Sequence, residues 1–229
     1  MKTVQWELTK DEKEVAVRAC RRILLNADQA IAARGQFRIV LAGGSTPEHT
    51  YRLLNKVNTD WRRWQVYFGD ERCLPVDDPQ RNSGMAARVW LDRVAIPSAN
   101  IHAIPAELGP HQAARQYEPL VRQALPFDLA LLGLGSDGHT ASIFPGAPHP
   151  GESLVQPVLH APKAPSQRVT LSAAALSQCQ EILVLVTGQE KRAALKAWQQ
   201  GEALPISTLQ PMGNLTVIYD RKADPGPLA

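Results

Sequence analysis

The segment Phe127–Gly146, FDLALLGLGSDGHTASIFPG, is the part of this chain that says most about its architecture. Its first part, Phe127–Leu132, is a continuous apolar run with one acid, which is typical of a strand buried on both faces of a parallel sheet. Such strands deliver ligand-binding loops at their carboxyl ends. The glycines, acid and histidine that follow therefore predict a catalytic loop at the end of a buried strand.

The glycines of this loop match the G-x-G-x-x-G spacing of dinucleotide-binding sites. Three observations oppose that interpretation. A histidine directly follows the third glycine, Pro145 soon ends any helix, and no strand ending in Asp or Glu follows about 20 residues later. We therefore interpret the segment as a glycine-rich turn that presents Asp137 and His139.

Strand patterns recur outward from this segment, at 37–42, 65–68, 101–104, 154–159, 168–171, 182–187 and 215–219. Helical patterns alternate with them, at 9–35, 47–54, from about 83, at 110–124 and at 190–200. We expect the chain to open with the first of these helices, since Thr9–Glu12 reads as a capping box. The alternation predicts an α/β fold with an open, mostly parallel sheet and helices on both faces, a Rossmann-like arrangement of three layers.

The 229 residues, 44% of them hydrophobic, suffice for one largish domain or two small ones. No internal repeat is visible, and we predict a single domain over residues 1–229. Six of the 18 prolines lie from Pro145 to Pro165, too many for a regular helix or a central strand. They predict a loop-rich excursion near 145–165 that can close over the site.

Charge and cysteine content exclude several classes of protein. The net charge is only +3, and basic residues are interleaved with acids, so we expect neither a nucleic-acid nor a membrane partner. The basic aromatic cluster Trp61–Trp64 is interpreted as a turn before a strand, with buried indoles. Three cysteines without C-x-x-C spacing disfavour a disulfide framework and a zinc site. With no apolar run of membrane length, a cytoplasmic location is the expectation.

Other predicted strand ends also carry groups that bind anions. Gly43-Gly44-Ser45-Thr46 combines backbone N–H groups, two hydroxyls and a helix amino terminus, as a phosphate cradle does, although an ordinary capped turn has the same composition. Asp70-Glu71-Arg72 places three charges after an apolar strand, where they either face a ligand or form a structural ion pair.

Two further cations stand near predicted element ends. Arg168 begins a strand. Lys191 falls in the first turn of a predicted helix, where a cation opposes the helix dipole unless an anion is bound nearby. A solvated surface position is the alternative for Lys191.

Together these segments resemble the 6-phosphogluconolactonase family. The resemblance covers nearly the whole chain and rests, in order, on AGGSTP (42–47), FGDER (68–72), LGLGSDGHTASIFPG (132–146), RVTLS (168–172) and TGQEK (187–191). It implies hydrolysis of a sugar phosphate lactone, 6-phosphoglucono-1,5-lactone, without metal or organic cofactor. We assign phosphate recognition to Gly43, Gly44, Ser45 and Thr46 with Arg168 and Lys191, since a dianion in a partly closed site calls for several charge-assisted hydrogen bonds. Asp70 and Arg72 are also expected to contact substrate, and for Arg72 the sequence leaves open the phosphate, the sugar hydroxyls and the developing oxyanion.

The chemistry of the residues agrees with this implication. A lactone carbonyl needs an activated water, and imidazole, with an ordinary pKa of about 6.5, is suited to take its proton near neutrality. We therefore predict His139 as the general base, with Asp137 orienting it or a substrate hydroxyl. The chain lacks the G-x-S-x-G nucleophile elbow, since Leu134 stands where a glycine is required, so a covalent acyl-enzyme is disfavoured.

Two other functions are alternatives to the lactonase. The first is deamination and isomerisation of glucosamine 6-phosphate, because the glucosamine-6-phosphate deaminases belong to the same broader group as the lactonases. The histidine segment of the deaminases continues into Asn-Glu-Pro, whereas Ser142–Pro145 here supplies no carboxylate. The second is a non-catalytic sugar-phosphate sensor, which the intact pair of Asp137 and His139 disfavours. The remaining histidines are expected to be structural or on the surface: His49, His102, His111, His149 and His160.

Overall fold

The computed structural model describes residues 4–146 and 153–226. The strands in these residues are β1 (Val4–Thr9), β2 (Phe37–Leu41), β3 (Trp64–Phe68), β4 (Asp70–Arg72), β5 (Ile101–His102), β6 (Phe127–Gly133), β7 (Val155–Val158), β8 (Arg168–Leu171), β9 (Cys179–Val186) and β10 (Asn214–Asp220). The α-helices are α1 (Glu12–Arg34), α2 (Ser45–Leu54), α3 (Asn82–Val89), α4 (Pro110–Ala124), α5 (Ala173–Ser177) and α6 (Arg192–Gln199).

Seven strands form one open parallel sheet in the order β1-β10-β9-β6-β2-β3-β5. Helices surround the sheet in a three-layer α/β arrangement, which confirms the predicted fold class. The central strand β6 is buried over Phe127–Leu132, as expected of a strand that is covered on both faces. The apolar run that decided the sequence interpretation therefore occupies the middle of the sheet.

The strand order places a topological switch point between β2 and β6. Strands β3 and β5 follow β2 toward one edge of the sheet, whereas β9 and β10 follow β6 toward the other edge. The loops that leave β2 and β6 therefore diverge and open a crevice beyond the carboxyl ends of these two strands. Ligands bind at such crevices in open α/β sheets. The two glycine-rich segments, 43–46 and 133–139, both lie there.

Three strands form a second, antiparallel sheet in the order β4-β8-β7. The sequence predicted β7 and β8 correctly as strands but did not separate them from the main sheet. It also treated Asp70–Arg72 as a charged strand end, whereas these residues pair with β8 as β4. Pairing partners distant in sequence carry no local signal, so only the tertiary structure reveals this sheet.

The prediction that the chain opens with a helix is wrong, because β1 precedes α1 and pairs in parallel with β10 at the sheet edge. The alternation of Val4, Trp6 and Leu8 with polar residues is the strand signal that was missed. The capping box is also shifted. Asp11 accepts from the N–H of Glu14 at 2.9 Å, and Glu14 accepts from the N–H of Lys10 at 3.0 Å.

Tryptophans fill the part of the core beneath β2 and β3. Trp61 and Trp64 pack with ring centroids 4.8 Å apart, and Trp90 contacts both of them. Trp61 lies in a short 3-10 turn directly before β3, which confirms the predicted turn with buried indoles. This cluster anchors the strand that leads into β4, and so supports one wall of the crevice.

The predicted excursion near 145–165 is loop-rich where it is described, apart from β7, although residues 147–152 lie outside the described part of the chain. No helix within residues 4–146 and 153–226 combines the length and the apolar character that a bilayer crossing requires.

Candidate functional site

The loop after β6 brings His139 and Asp137 together. The ring Nδ1 of His139 hydrogen-bonds to Oδ1 of Asp137. A side chain at Gly135 would overlap this ring, so glycine is required there to let the loop fold back on the strand end. The turn is closed by the N–H of Gly135, which donates to the carbonyl of His139 at 2.7 Å. No helix follows within 134–146, as expected when the dinucleotide interpretation was rejected.

The hydrogen bond with Asp137 fixes the tautomer of His139. A carboxylate only accepts hydrogen bonds, so Nδ1 carries the proton and Nε2 keeps a free lone pair. Burial lowers the pKa of His139 below its ordinary value, and this effect outweighs the opposing influence of Asp137. The ring of Phe144, with its centroid 4.8 Å away, is part of this apolar surrounding. His139 is therefore an unprotonated acceptor at neutral pH.

Asp137 lies behind the histidine and does not line the crevice. Burial is the largest single influence and acts to raise the pKa of Asp137, but the hydrogen bond and electrostatic attraction of His139, together with backbone hydrogen bonds, outweigh it, and the pKa lies below the ordinary value. The carboxylate is thus ionised when the imidazole is neutral, which suits an orienting role.

The turn after β2 forms the facing wall. Gly43 and Gly44 line the crevice, with Gly44 in a positive-φ conformation at the amino terminus of α2. The Tyr51 hydroxyl secures the turn, because it accepts from the N–H of Ala42 at 3.1 Å and donates to the carbonyl of the same residue at 2.8 Å.

The two hydroxyls of the predicted cradle do not line the main crevice. Ser45 is exposed in a neighbouring cleft on the far side of Gly44. The Thr46 hydroxyl lies 2.6 Å from the Thr187 hydroxyl, which joins the turn after β2 to the turn after β9. For Thr46 the observed contact is thus with protein, and this contact joins two turns that border the crevice.

The three charged residues of β4 differ in their surroundings: one is buried in the protein and two line the crevice. Glu71 is 0% exposed, accepts from the first two backbone N–H groups of α3 at 2.8 and 2.9 Å, and lies 3.5 Å from Arg81. Glu71 and Arg81 therefore form a structural ion pair, one of the two alternatives that the sequence left open for this segment. Asp70 and Arg72 instead line the crevice. In the described part of the chain, the Nε of Arg72 is buried without a hydrogen-bond partner.

Arg168 begins β8 and lies in the crevice wall with only 6% of its surface exposed. Its Nε and one terminal nitrogen donate to main-chain carbonyls of 163–165, while the other lies 3.5 Å from the Ser142 hydroxyl. Burial lowers the pKa of Arg168, and nearby Asp70 opposes this effect.

Lys191 ends a 3-10 turn that precedes α6, and its side chain reaches the crevice. Burial lowers the pKa of Lys191, with Glu190 as the opposing charge. A half-buried ammonium at this position argues against a fully solvated surface lysine, the alternative left open by the sequence.

Seven of the ten predicted site residues therefore line one crevice, which encloses about 280 Å³: Gly43, Gly44, Asp70, Arg72, His139, Arg168 and Lys191. The other three, Asp137, Ser45 and Thr46, lie directly behind or beside it. Three cations face one carboxylate in the lining, so the crevice favours an anionic ligand. Among the described residues, no group of three or more His, Cys, Asp or Glu side chains is arranged to hold a metal ion.

Sequence reasoning missed Asn82, which lines the crevice although it is 97% buried, with a relative exposure of 3%. The Asn82 amide donates to Asp70. Asn82 also packs against the turn after β2, where it leaves no room for a side chain at Gly43. Asn82 follows a loop rich in Pro and Asp and has no local signal of its own. Leu134 and Ala141 also line the crevice and were not predicted, since apolar side chains contribute only to its shape.

Histidines outside the site take ordinary positions. The ring of His102 stacks on Tyr67 and hydrogen-bonds to Gln65 at 3.0 Å, a structural role. His49, His111 and His160 are exposed, as expected, whereas His149 lies outside the described residues.

Comparison with known proteins gives a consistent result. The model of the family described as glucosamine-6-phosphate isomerases/6-phosphogluconolactonase matches residues 10–218. The chain is 38% identical over 210 residues to a 6-phosphogluconolactonase from Synechocystis sp., an alignment that covers 85% of this chain and 86% of that protein.

Solved structures agree with the sequence comparison. The 6-phosphogluconolactonase of Thermotoga maritima superimposes with a TM-score of 0.89 at 29% identity, covering 96% of this chain and 100% of the other. The 6-phosphogluconolactonase of Trypanosoma brucei gives a TM-score of 0.89 at 28% identity, covering 97% and 98%. The fold is thus shared with these proteins.

Proposed function

The chain belongs to the family of glucosamine-6-phosphate isomerases and 6-phosphogluconolactonases, and we propose that the crevice between β2 and β6 is its active site, with His139 as general base. The reaction is the hydrolysis of 6-phospho-D-glucono-1,5-lactone to 6-phospho-D-gluconate, a step of the oxidative pentose phosphate pathway. The protein is accordingly a hydrolase of carboxylic esters.

His139 performs both proton transfers. The free Nε2 takes a proton from water, whose oxygen attacks the lactone carbonyl carbon to give a tetrahedral intermediate. The bond between this carbon and the ring oxygen then breaks, and the imidazolium returns the proton to that oxygen. Asp137 stabilises the imidazolium between the two steps through Nδ1. One water is consumed, and the product is the open-chain acid.

The cations bind the phosphate and the developing oxyanion. A phosphate dianion in a half-closed crevice calls for several charge-assisted hydrogen bonds. We assign the phosphate to the turn Gly43–Thr46 with Arg168 and Lys191, supported by the Thr46–Thr187 contact that unites these turns. Arg72, which lines the same crevice, contributes a further donor. Asp70 completes the substrate contacts from the same wall.

The observation that carries this proposal is the Nδ1 contact of His139 with Asp137, which leaves a neutral acceptor facing a crevice lined by three cations. The test is hydrolysis of fresh 6-phosphoglucono-1,5-lactone, coupled to 6-phosphogluconate dehydrogenase and corrected for spontaneous opening. Unphosphorylated gluconolactone is the matched control. We expect the phosphorylated lactone to be turned over much faster than gluconolactone.

A rate no higher than background would contradict the proposal. Release of ammonia from glucosamine 6-phosphate would then indicate the deaminase, and binding of 6-phosphogluconate without turnover would indicate the sensor. A cytoplasmic location is proposed with the lactonase function and is tested by fractionation of the source cells.

A further inference from the structure

The segment 161–166 between β7 and β8, which we call the strap, is held against the crevice by Arg168. The Nε of Arg168 donates to the carbonyl of Pro165 at 3.0 Å, and Nη2 donates to the carbonyls of Lys163 and Ala164 at 2.9 and 3.3 Å. The strap is closed at its base by the N–H of Ala161, which donates to the carbonyl of Ser166 at 2.9 Å. Its backbone position is thus fixed by a buried guanidinium.

Lys163 extends from the strap to the loop that carries the catalytic histidine. Its Nζ donates to the Ser136 hydroxyl at 3.3 Å and lies 4.0 Å from Oδ1 of Asp137. The same Oδ1 accepts the Nδ1 hydrogen of His139. One carboxylate oxygen is therefore shared between the strap cation and the imidazole.

We propose that Lys163 is a positioning residue of the lactonase: a strap-borne cation that keeps the Asp137 carboxylate aimed at His139 and disfavours the protonated imidazole. It acts on the reaction only through Asp137 and His139. The inference rests on the proposed function, in which a neutral His139 takes the proton from water. It also gives the proline-rich excursion a function, which is to carry a charge to the catalytic pair.

The charges that face His139 come from three elements. Asp137 on its own loop and Asp70 on β4 raise its pKa, whereas Lys163 on the strap lowers it, and burial is the largest influence and lowers it too. Lys191, from the turn after β9, faces Lys163 and Asp137. Lys163 thus counteracts the effect of Asp137 and Asp70 on the pKa of His139. Its removal lets the imidazole gain a proton more readily.

The size of the effect follows from exposure. The Lys163 side chain is 48% exposed, so solvent and salt screen its charge. Removal of the charge is expected to raise the pKa of His139 by about 0.2–0.5 unit at low ionic strength. The shift should shrink at about 1 M salt, where the Debye length is about 3 Å.

The experiment compares the full-length wild type with Lys163→Met, Lys163→Arg and Lys56→Met. Lys56 is exposed just after α2 and provides the same loss of charge away from the crevice. The pKa of His139 is read from NMR titration of its ring protons, identified by their loss in His139→Ala. We expect an upward shift in Lys163→Met alone, with Lys163→Arg close to wild type, and thermal unfolding serves as a check that each variant folds.

An equal pKa of His139 in Lys163→Met and Lys56→Met would overturn the proposal. The pH dependence of kcat/KM for the phosphorylated lactone then separates this inference from the mechanism. If the acid limb moves with the NMR value, both stand. If the NMR value moves and the acid limb does not, the role of Lys163 stands and the assignment of His139 as the base fails.

Discussion

The side-chain amide of Asn82 donates to Asp70 twice, to its carbonyl at 2.9 Å and to its carboxylate at 3.1 Å. The other carboxylate oxygen of Asp70 accepts from the Ser142 hydroxyl at 2.6 Å. Three segments distant in sequence are thereby joined around one buried acid in the crevice wall. Because every partner of this carboxylate is itself fixed, the wall has a defined shape before substrate binds.

Substitution of Gly43 by alanine tests this wall. The added Cβ would overlap the Asn82 amide, so Gly43→Ala is expected to lower the free energy of unfolding by about 1–3 kcal/mol and to displace Asp70. Urea unfolding provides the measurement. The matched control is Gly133→Ala, since no atom lies within 4 Å of a Cβ at that position. Equal losses in the two variants would show that Asn82 does not confine Gly43.

Loss of the proposed general base should abolish most of the turnover. His139→Ala is expected to lower kcat by about 100-fold or more, since general-base catalysis contributes about 10²–10⁴-fold. Affinity for 6-phosphogluconate, measured by isothermal titration, should stay near that of the wild type. His111→Ala, at an exposed position on α4, is the control. Turnover near that of the wild type in His139→Ala would remove this residue from the mechanism.

The pH profile should reflect the environment of His139. Burial lowers the pKa of His139, and the proposed base is active when unprotonated, so the midpoint of the acid limb of kcat/KM should lie below the ordinary imidazole pKa of about 6.5. In Asp137→Asn the contact that raises this pKa is lost. The acid limb should therefore move to still lower pH, while kcat falls by roughly 10- to 100-fold. An acid limb that moves upward would contradict the orienting role of Asp137.

The phosphate assignment predicts a substrate-specific effect of Lys191. Lys191→Met should raise KM for the phosphorylated lactone by about 10- to 100-fold, the scale of one charge-assisted hydrogen bond. Hydrolysis of unphosphorylated gluconolactone should not change. Lys196→Met removes an exposed lysine from α6 and serves as the control. If the variant loses activity equally on both lactones, Lys191 acts at the reacting end instead.

Much of the candidate site was accessible from the sequence because parallel strands bring their carboxyl ends to one edge. The runs that end at Leu41, Phe68 and Leu132 are each followed by polar or glycine residues, and their loops meet at the switch point. The grouping of His139, Arg168 and Lys191 in one crevice agrees with the predicted set. Their roles in binding and catalysis stay predictions until the variants are measured.

Apolar periodicity and close spacing are local properties, so the layered α/β class, most strand positions and the pair formed by Asp137 and His139 could be predicted from the amino-acid sequence. The remaining features depend on the folded structure. It separated β4, β7 and β8 into a second sheet, placed β1 at the edge, directed Thr46 to Thr187, and brought Asn82 and Lys163 to the site. These contacts join residues far apart in the chain, and their energies depend on packing that no local pattern encodes.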